Sequence, residues 1–125
     1  MKYLLLLNNA GDAVDSWRGM TAEEAAAARA EEIPRWNALF GWAGEQGITL
    51  DGLEIDDPGQ ARVVRVRDGA TTVTDGPFAE TREQLGGYFV LDVESMDEAT
   101  ELAAKIPGAW HGSVELRAES QEDSP

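Results

Sequence analysis

The sequence predicts one α+β domain with helices packed on one face of a mainly antiparallel sheet. Three observations lead there. An almost unbroken apolar run spans Lys2 to Leu7, two helix starts stand at Thr21-Ala22-Glu23-Glu24 and Ser95-Met96-Asp97-Glu98, and alternating apolar segments lie between and after them. At 125 residues the chain suits a single two-layer core better than two domains. Residues 1–118 are assigned to that domain and the acidic stretch 119–125 to a disordered tail.

Lys2–Leu7 reads as a central strand covered on both faces, since a strand with one wet face would alternate. Asn8–Met20 breaks all periodicity and, with Gly11, Asp12, Asp15, Ser16 and Gly19, reads as a loop. Thr21 and Glu24 have the spacing of a capping box, in which each side chain satisfies a backbone amide of the other's residue. The helix it opens carries a stripe at Ala26, Ala30, Ile33, Trp36 or Asn37, and Phe40, and Gly47 closes it. Pro34 removes a donor and crowds the carbonyl of Ala30, so a kink or break is expected there.

Ile48–Ile55 suggests a short, irregular strand weakened by Asp51 and Gly52. Ala61–Arg67 and Thr71–Thr74 form the arms of a hairpin turned at Asp68-Gly69. Gly87–Val93 alternates, with Phe89, Leu91 and Val93 inward. Ser95 and Glu98 open a second helix that places Met96, Ala99, Leu102 or Ala103, and Ile106 on one side, and Pro107-Gly108 stops it. Ser113–Arg117 is the last strand. Strand, long helix, two or three strands, strand, helix, strand is the order of a ferredoxin-like split βαβ arrangement.

Composition bounds the function. Ten Lys and Arg against 24 Asp and Glu leave a net charge of −14, a field that repels phosphate backbones and anionic lipid, so neither nucleic acid nor a membrane is an expected partner. The absence of cysteine excludes disulfides, thiolate catalysis and cysteine-held metals. The run at Tyr3–Leu7 is shorter than a signal-peptide core or a membrane span, which makes the cytoplasm the expected location. No glycine-rich phosphate loop, nucleophile elbow or calcium loop is present, and Asp56-Asp57-Pro58-Gly59 reads as a turn; no cofactor and no metal are expected.

The segment Val73-Thr74-Asp75-Gly76-Pro77-Phe78-Ala79-Glu80-Thr81-Arg82-Glu83-Gln84-Leu85-Gly86-Gly87-Tyr88-Phe89 has two readings. In one, Asp75-Gly76-Pro77 is a turn, Phe78 plugs the core and Gly86-Gly87 admits a bulge or close backbone approach. In the other, Asp75 and Glu83 face a ligand. The segment resembles the signature of the DGPF branch of the YCII-related family. The likeness extends to Lys2-Tyr3, the helix start at Thr21, Val63–Gly69, Met96–Ala99 and Gly112-Ser113-Val114-Glu115. It implies a ferredoxin-like fold whose sheets associate face to face as a dimeric α+β barrel, and so a homodimer. Two positions depart from the family's pattern: Pro34 inside the first helix, and Ala118 where a proline commonly stands.

On that basis the expected role is binding a small organic ligand in a cleft between sheet and helices. If acid–base chemistry occurs, Asp75 is the proton acceptor or orienting carboxylate and Glu83 the second carboxylate. Phe78, Arg82 and Tyr88 are the candidate ligand contacts, with Arg82 or Tyr88 stabilising developing negative charge. Some relatives pair a histidine with an aspartate, but the lone His111 matches no position of the motif and reads as an exposed loop residue. Trp17 and Trp110 precede structural elements, where an indole either walls a cleft or covers a core edge, and Trp36 is core or dimer contact. The alternative is a non-catalytic regulatory or protein-interaction module, since the resemblance also allows a link to extracytoplasmic-function sigma factors.

Overall fold

The structure, a computed structural model, describes residues 1–76, 83–110 and 112–121, with only the backbone of residues 11, 12, 14, 83 and 110. In chain order the elements are β1 (Lys2–Ala10), α1 (Gly11–Arg18), α2 (Ala22–Gln46), β2 (Asp51–Glu54), β3 (Arg62–Arg67), β4 (Ala70–Asp75), β5 (Glu83–Asp92), α3 (Met96–Ala103) and β6 (Ser113–Ala118). Short 3-10 turns lie at Pro58–Gln60 and Pro107–Trp110. Strands β2, β5, β1 and β6 form one sheet in that order, antiparallel throughout, while β3 and β4 form a separate hairpin. This interleaving of two βαβ halves is the ferredoxin-like α+β arrangement. Among the described residues no barrel closes within a single chain.

The core lies between the sheet and helices α2 and α3. Tyr3 and Leu5 of β1 and Leu91 of β5 meet Leu39 and Ala43 of α2 and Ala99, Leu102 and Ala103 of α3, all buried. Ile106, just past α3, is buried with them. Trp36 spans to the sheet, its ring 6.0 Å from Phe89 and 5.8 Å from Phe40. The aromatic contacts add shape to an otherwise aliphatic core.

Local signals act as their chemistry dictates. Thr21 Oγ1 accepts from the Glu24 amide at 3.1 Å, and the Glu24 carboxylate reaches back to the Thr21 amide, completing the capping box. Gly47 ends α2 in the left-handed region, at φ 71°. At the hairpin, Asp68 (φ 51°) and Gly69 (φ 78°) both occupy that region, as a turn matched to strand twist requires. Ser95 caps α3 through the Glu98 amide, but the Glu98 carboxylate takes the amide of Glu94 instead of that of Ser95. Gly52 is a necessity where the sequence suggested weakness, because a methyl there would strike the Tyr88 carbonyl oxygen of β5.

Three expectations are corrected. First, Asn8–Met20 is not a loop: β1 runs on to Ala10 and α1 follows at once. Tertiary contacts hold this short helix, which is too brief to stand alone. Second, α2 runs on through Pro34, so the helix is not broken there. Both Pro34 and Ala30 are exposed, so water can satisfy the carbonyl that the proline leaves without a donor. Third, the buried stripe of α2 passes through Leu39 and Ala43, with Ala25, Ala28 and Trp36 partly covered, while Ile33 is 52% and Phe40 47% exposed. The true stripe lies one position off the expected one, a rotation of about 100° that brings the small Ala43 against the sheet.

The far side of the sheet is the unusual feature. Across it, Asp51, Val90, Leu4 and Arg117 stand in one row and Leu53, Tyr88, Leu6 and Glu115 in the next. Leu4, Leu6, Tyr88 and Val90 are half-buried there and Leu53 is 55% exposed. An antiparallel sheet with one wet face normally carries polar residues on it. The central strand β1 is thus apolar on both faces, but α2 and α3 cover only one, so the expected coverage of both faces is not met by the described residues of a single chain.

Candidate functional site

A cleft of about 370 Å³ opens where the end of β1 meets α1, α2 and the chain leaving β2; Asn9, Trp17, Arg29, Glu54, Ile55, Asp56 and Asp57 line it. Its position follows from a bulge. The β1–β5 register shifts between Leu7, opposite Gly87, and Asn8, opposite Leu85, leaving Gly86 as the extra residue. The Asn9 side chain packs so closely on Gly86 that a methyl there would strike its amide. The Gly86 carbonyl accepts from the Ile55 amide at 3.0 Å, which anchors the start of the Ile55–Asp57 wall.

Two cations organise the walls. The Arg29 guanidinium lies over the Trp17 ring, 5.2 Å from its centroid, and donates to both carboxylate oxygens of Glu54 at 3.2 and 3.3 Å. Arg29 and Glu54 side chains are 61% and 69% exposed, so the pair holds with no more than about 1 kcal/mol. Arg18 Nε donates to Asp57 Oδ2 at 2.7 Å, and the Gly59 amide donates to Asp57 Oδ1 at 2.7 Å. The Arg18 hydrogen bond first, and the Gly59 amide second, hold the Asp57 carboxyl at about 2 against its ordinary 3.8. The same bond raises Arg18 further above its ordinary value. Asp56, whose Oδ1 accepts from the Asp57 amide at 2.7 Å, has no cation paired with it among the described residues. The cleft therefore presents an indole, an amide and three carboxylates, with two guanidiniums already matched to two of the carboxylates.

Of the residues singled out from the sequence, the described side chains of Asp75 and Tyr88 are not part of this cleft's lining. Asp75 ends β4 on the hairpin, 3.7 Å from Arg62 across the register, with its side chain 91% exposed. Glu83 begins β5 opposite Ala10, so the two stand on different sheets; the Glu83 side chain is outside the described residues. Tyr88 sits half-buried on the far side of the sheet between Leu6 and Leu53. Phe78, Arg82 and His111 lie outside the described residues, as does the Trp110 side chain. Trp17 does wall a cleft, whereas Asn9, Arg29 and Glu54 carried no signal in the sequence. Their contacts bridge 12 residues of chain from Trp17 to Arg29, 25 from Arg29 to Glu54 and 77 from Asn9 to Gly86, which no local spacing encodes. Among the described residues no group of three or more His, Asp or Glu could hold a metal ion, and no helix is long and apolar enough to cross a membrane.

Fold and cleft together define a ferredoxin-like α+β protein with a small polar cleft beside a bulged central strand pair. Residues 1–119 match the model of the YCII-related domain, and the chain belongs to that family. It is similar to an uncharacterized protein of Rhizobium meliloti (strain 1021), 46% identical over 59 residues. That match covers 46% of this chain and about half, 48%, of the relative.

Proposed function

We propose that the chain binds a small, polar organic molecule in the cleft at Trp17, as one half of a homodimer whose sheets meet on their uncovered faces. The observation that carries the binding reading is the cleft itself: its volume of about 370 Å³ falls within the roughly 300–1,000 Å³ of small-molecule sites. Its lining, one indole and mostly polar side chains, suits a polar ligand. The dimer reading is supported by the apolar rows through Leu4 and Leu6, which the chain's own helices do not cover. Tyr88 serves that interface. We also place the chain in the DGPF branch of its family, on Asp75-Gly76-Pro77-Phe78. No proton transfer is assigned to Asp75, whose side chain is 91% exposed in a single chain.

The test is an NMR titration of ¹⁵N-labelled protein with butylammonium, butylguanidinium, butyramide and butyrate. At least one member is expected to shift the Trp17 indole N–H and the Asn9 side-chain amide in a saturable way, leaving the Trp36 and Trp42 indoles in place. Absence of such shifts with all four, at concentrations up to tens of millimolar, would overturn the binding reading.

A further inference from the structure

Resting on the cleft reading above, we infer that the ligand is an organic cation carrying N–H donors, an alkylguanidinium or alkylammonium, and that Arg29 occupies its place in the free protein. A guanidinium over an indole face, with a carboxylate gripping its edge, is how a protein receives such a cation. Here the chain supplies that cation itself, through the Arg29 contacts with Trp17 and Glu54. The pair is exposed on both sides, so an incoming cation displaces it at little cost.

Charge selects the sign of the ligand. Within the cleft Arg29 offsets Glu54 and Arg18 offsets Asp57, which leaves the Asp56 carboxylate in excess. With Asp57 at about 2, its charge persists at any working pH. An anion would find both guanidiniums already engaged, meet Asp56, and approach against a chain charge of −14. A cation gains from the same field, the Trp17 face and the carboxylates. Displaced from the ring, Arg29 has room to swing outward on its flexible stem, because it is already 61% exposed.

The test compares butylguanidinium, butyramide and butyrate by the Trp17 indole and Asn9 amide shifts in wild-type protein and in Arg29→Ala, and by the Asn9 amide shift alone in Trp17→Ala. Butylguanidinium is expected to bind at least several-fold tighter than the other two, and more weakly as salt rises. Arg29→Ala, which vacates the receptor, is expected to tighten it on the order of tenfold, and Trp17→Ala to weaken it by a similar factor. Circular dichroism and the thermal midpoint of each variant confirm that it is folded. If butyramide or butyrate binds as well as the cation, or if Arg29→Ala loses binding of every probe, the cation assignment falls while the cleft reading stands. If no probe shifts Trp17, the cleft reading falls with it.

Discussion

Replacing Trp17 by alanine tests how α1 is held. The helix has eight residues, and no side chain caps its N-terminus, where Ala10 stands. Such a segment is not stable by itself. Among its described side chains, two attach it to the rest of the chain: the Trp17 ring under Arg29 and Arg18 paired with Asp57. Trp17 is 38% exposed, so about three-fifths of an indole that presents roughly 250 Å² is covered, or about 150 Å². At about 25 cal/mol per Å² that is an upper bound near 4 kcal/mol, to be reduced for residual contacts in the unfolded chain. The expected loss is about 2–3 kcal/mol, which lowers the thermal midpoint by roughly 10 °C in a domain of this size. Amide exchange supplies the local reading: the amides of α1 should exchange much faster in the variant, while those of β1 and β5 change only with global stability. A midpoint within about 2 °C of wild type, with α1 amides as protected as before, would refute the reasoning.

Two further predictions bear on the sheet and on pH. Light scattering at micromolar concentration should report about 27 kDa, twice the chain mass of 13.5 kDa, and Leu6→Lys with Val90→Lys should return it to 13.5 kDa without unfolding the chain. A wild-type monomer would contradict the interface. Asp57 is depressed from 3.8 to about 2 on folding, so it stabilises the fold fully above pH about 4, and that contribution is lost as pH falls through about 2. The midpoint difference between wild type and Asp57→Asn should therefore be flat above pH about 4.5 and close between pH 4 and 2; a difference that does not change with pH would show that the Arg18 contact is not made in solution.

Much of the fold was legible because its signals are local. The capping box at Thr21, the Ser95 cap of α3, the Asp68-Gly69 turn and the alternation of β5 depend on neighbours a few residues away, although Glu98 closes on the Glu94 amide and leaves the box expected at Ser95 incomplete. The double-sided apolar run of β1 was legible too, and its meaning sharpened: only one of its faces is covered by the chain's own helices. What failed depended on distant partners. α1 looked like a loop because Gly11, Asp12 and Ser16 favour none of its turns, and its stability comes from Arg29 and Asp57. The stripe of α2 was misplaced by one position because an alanine-rich helix offers two adjacent faces, and contact with the sheet chooses between them. Pro34 was tolerated because its side of the helix is wet. The cleft was visible only as an unplaced Trp17, since Asn9, Arg29 and Glu54 meet it through the bulge at Gly86 and the path of β2.

The measurement closest to the central claim is an isotope-filtered NOE experiment on ¹³C,¹⁵N-labelled protein with unlabelled butylguanidinium. Contacts are expected from the probe's methylene protons to the Trp17 ring and to the Ile55 side chain, both in the cleft wall. Contacts confined to the exposed valines of the hairpin, Val64, Val66 and Val73, or to the outer sheet residues Leu4 and Leu6, would contradict it.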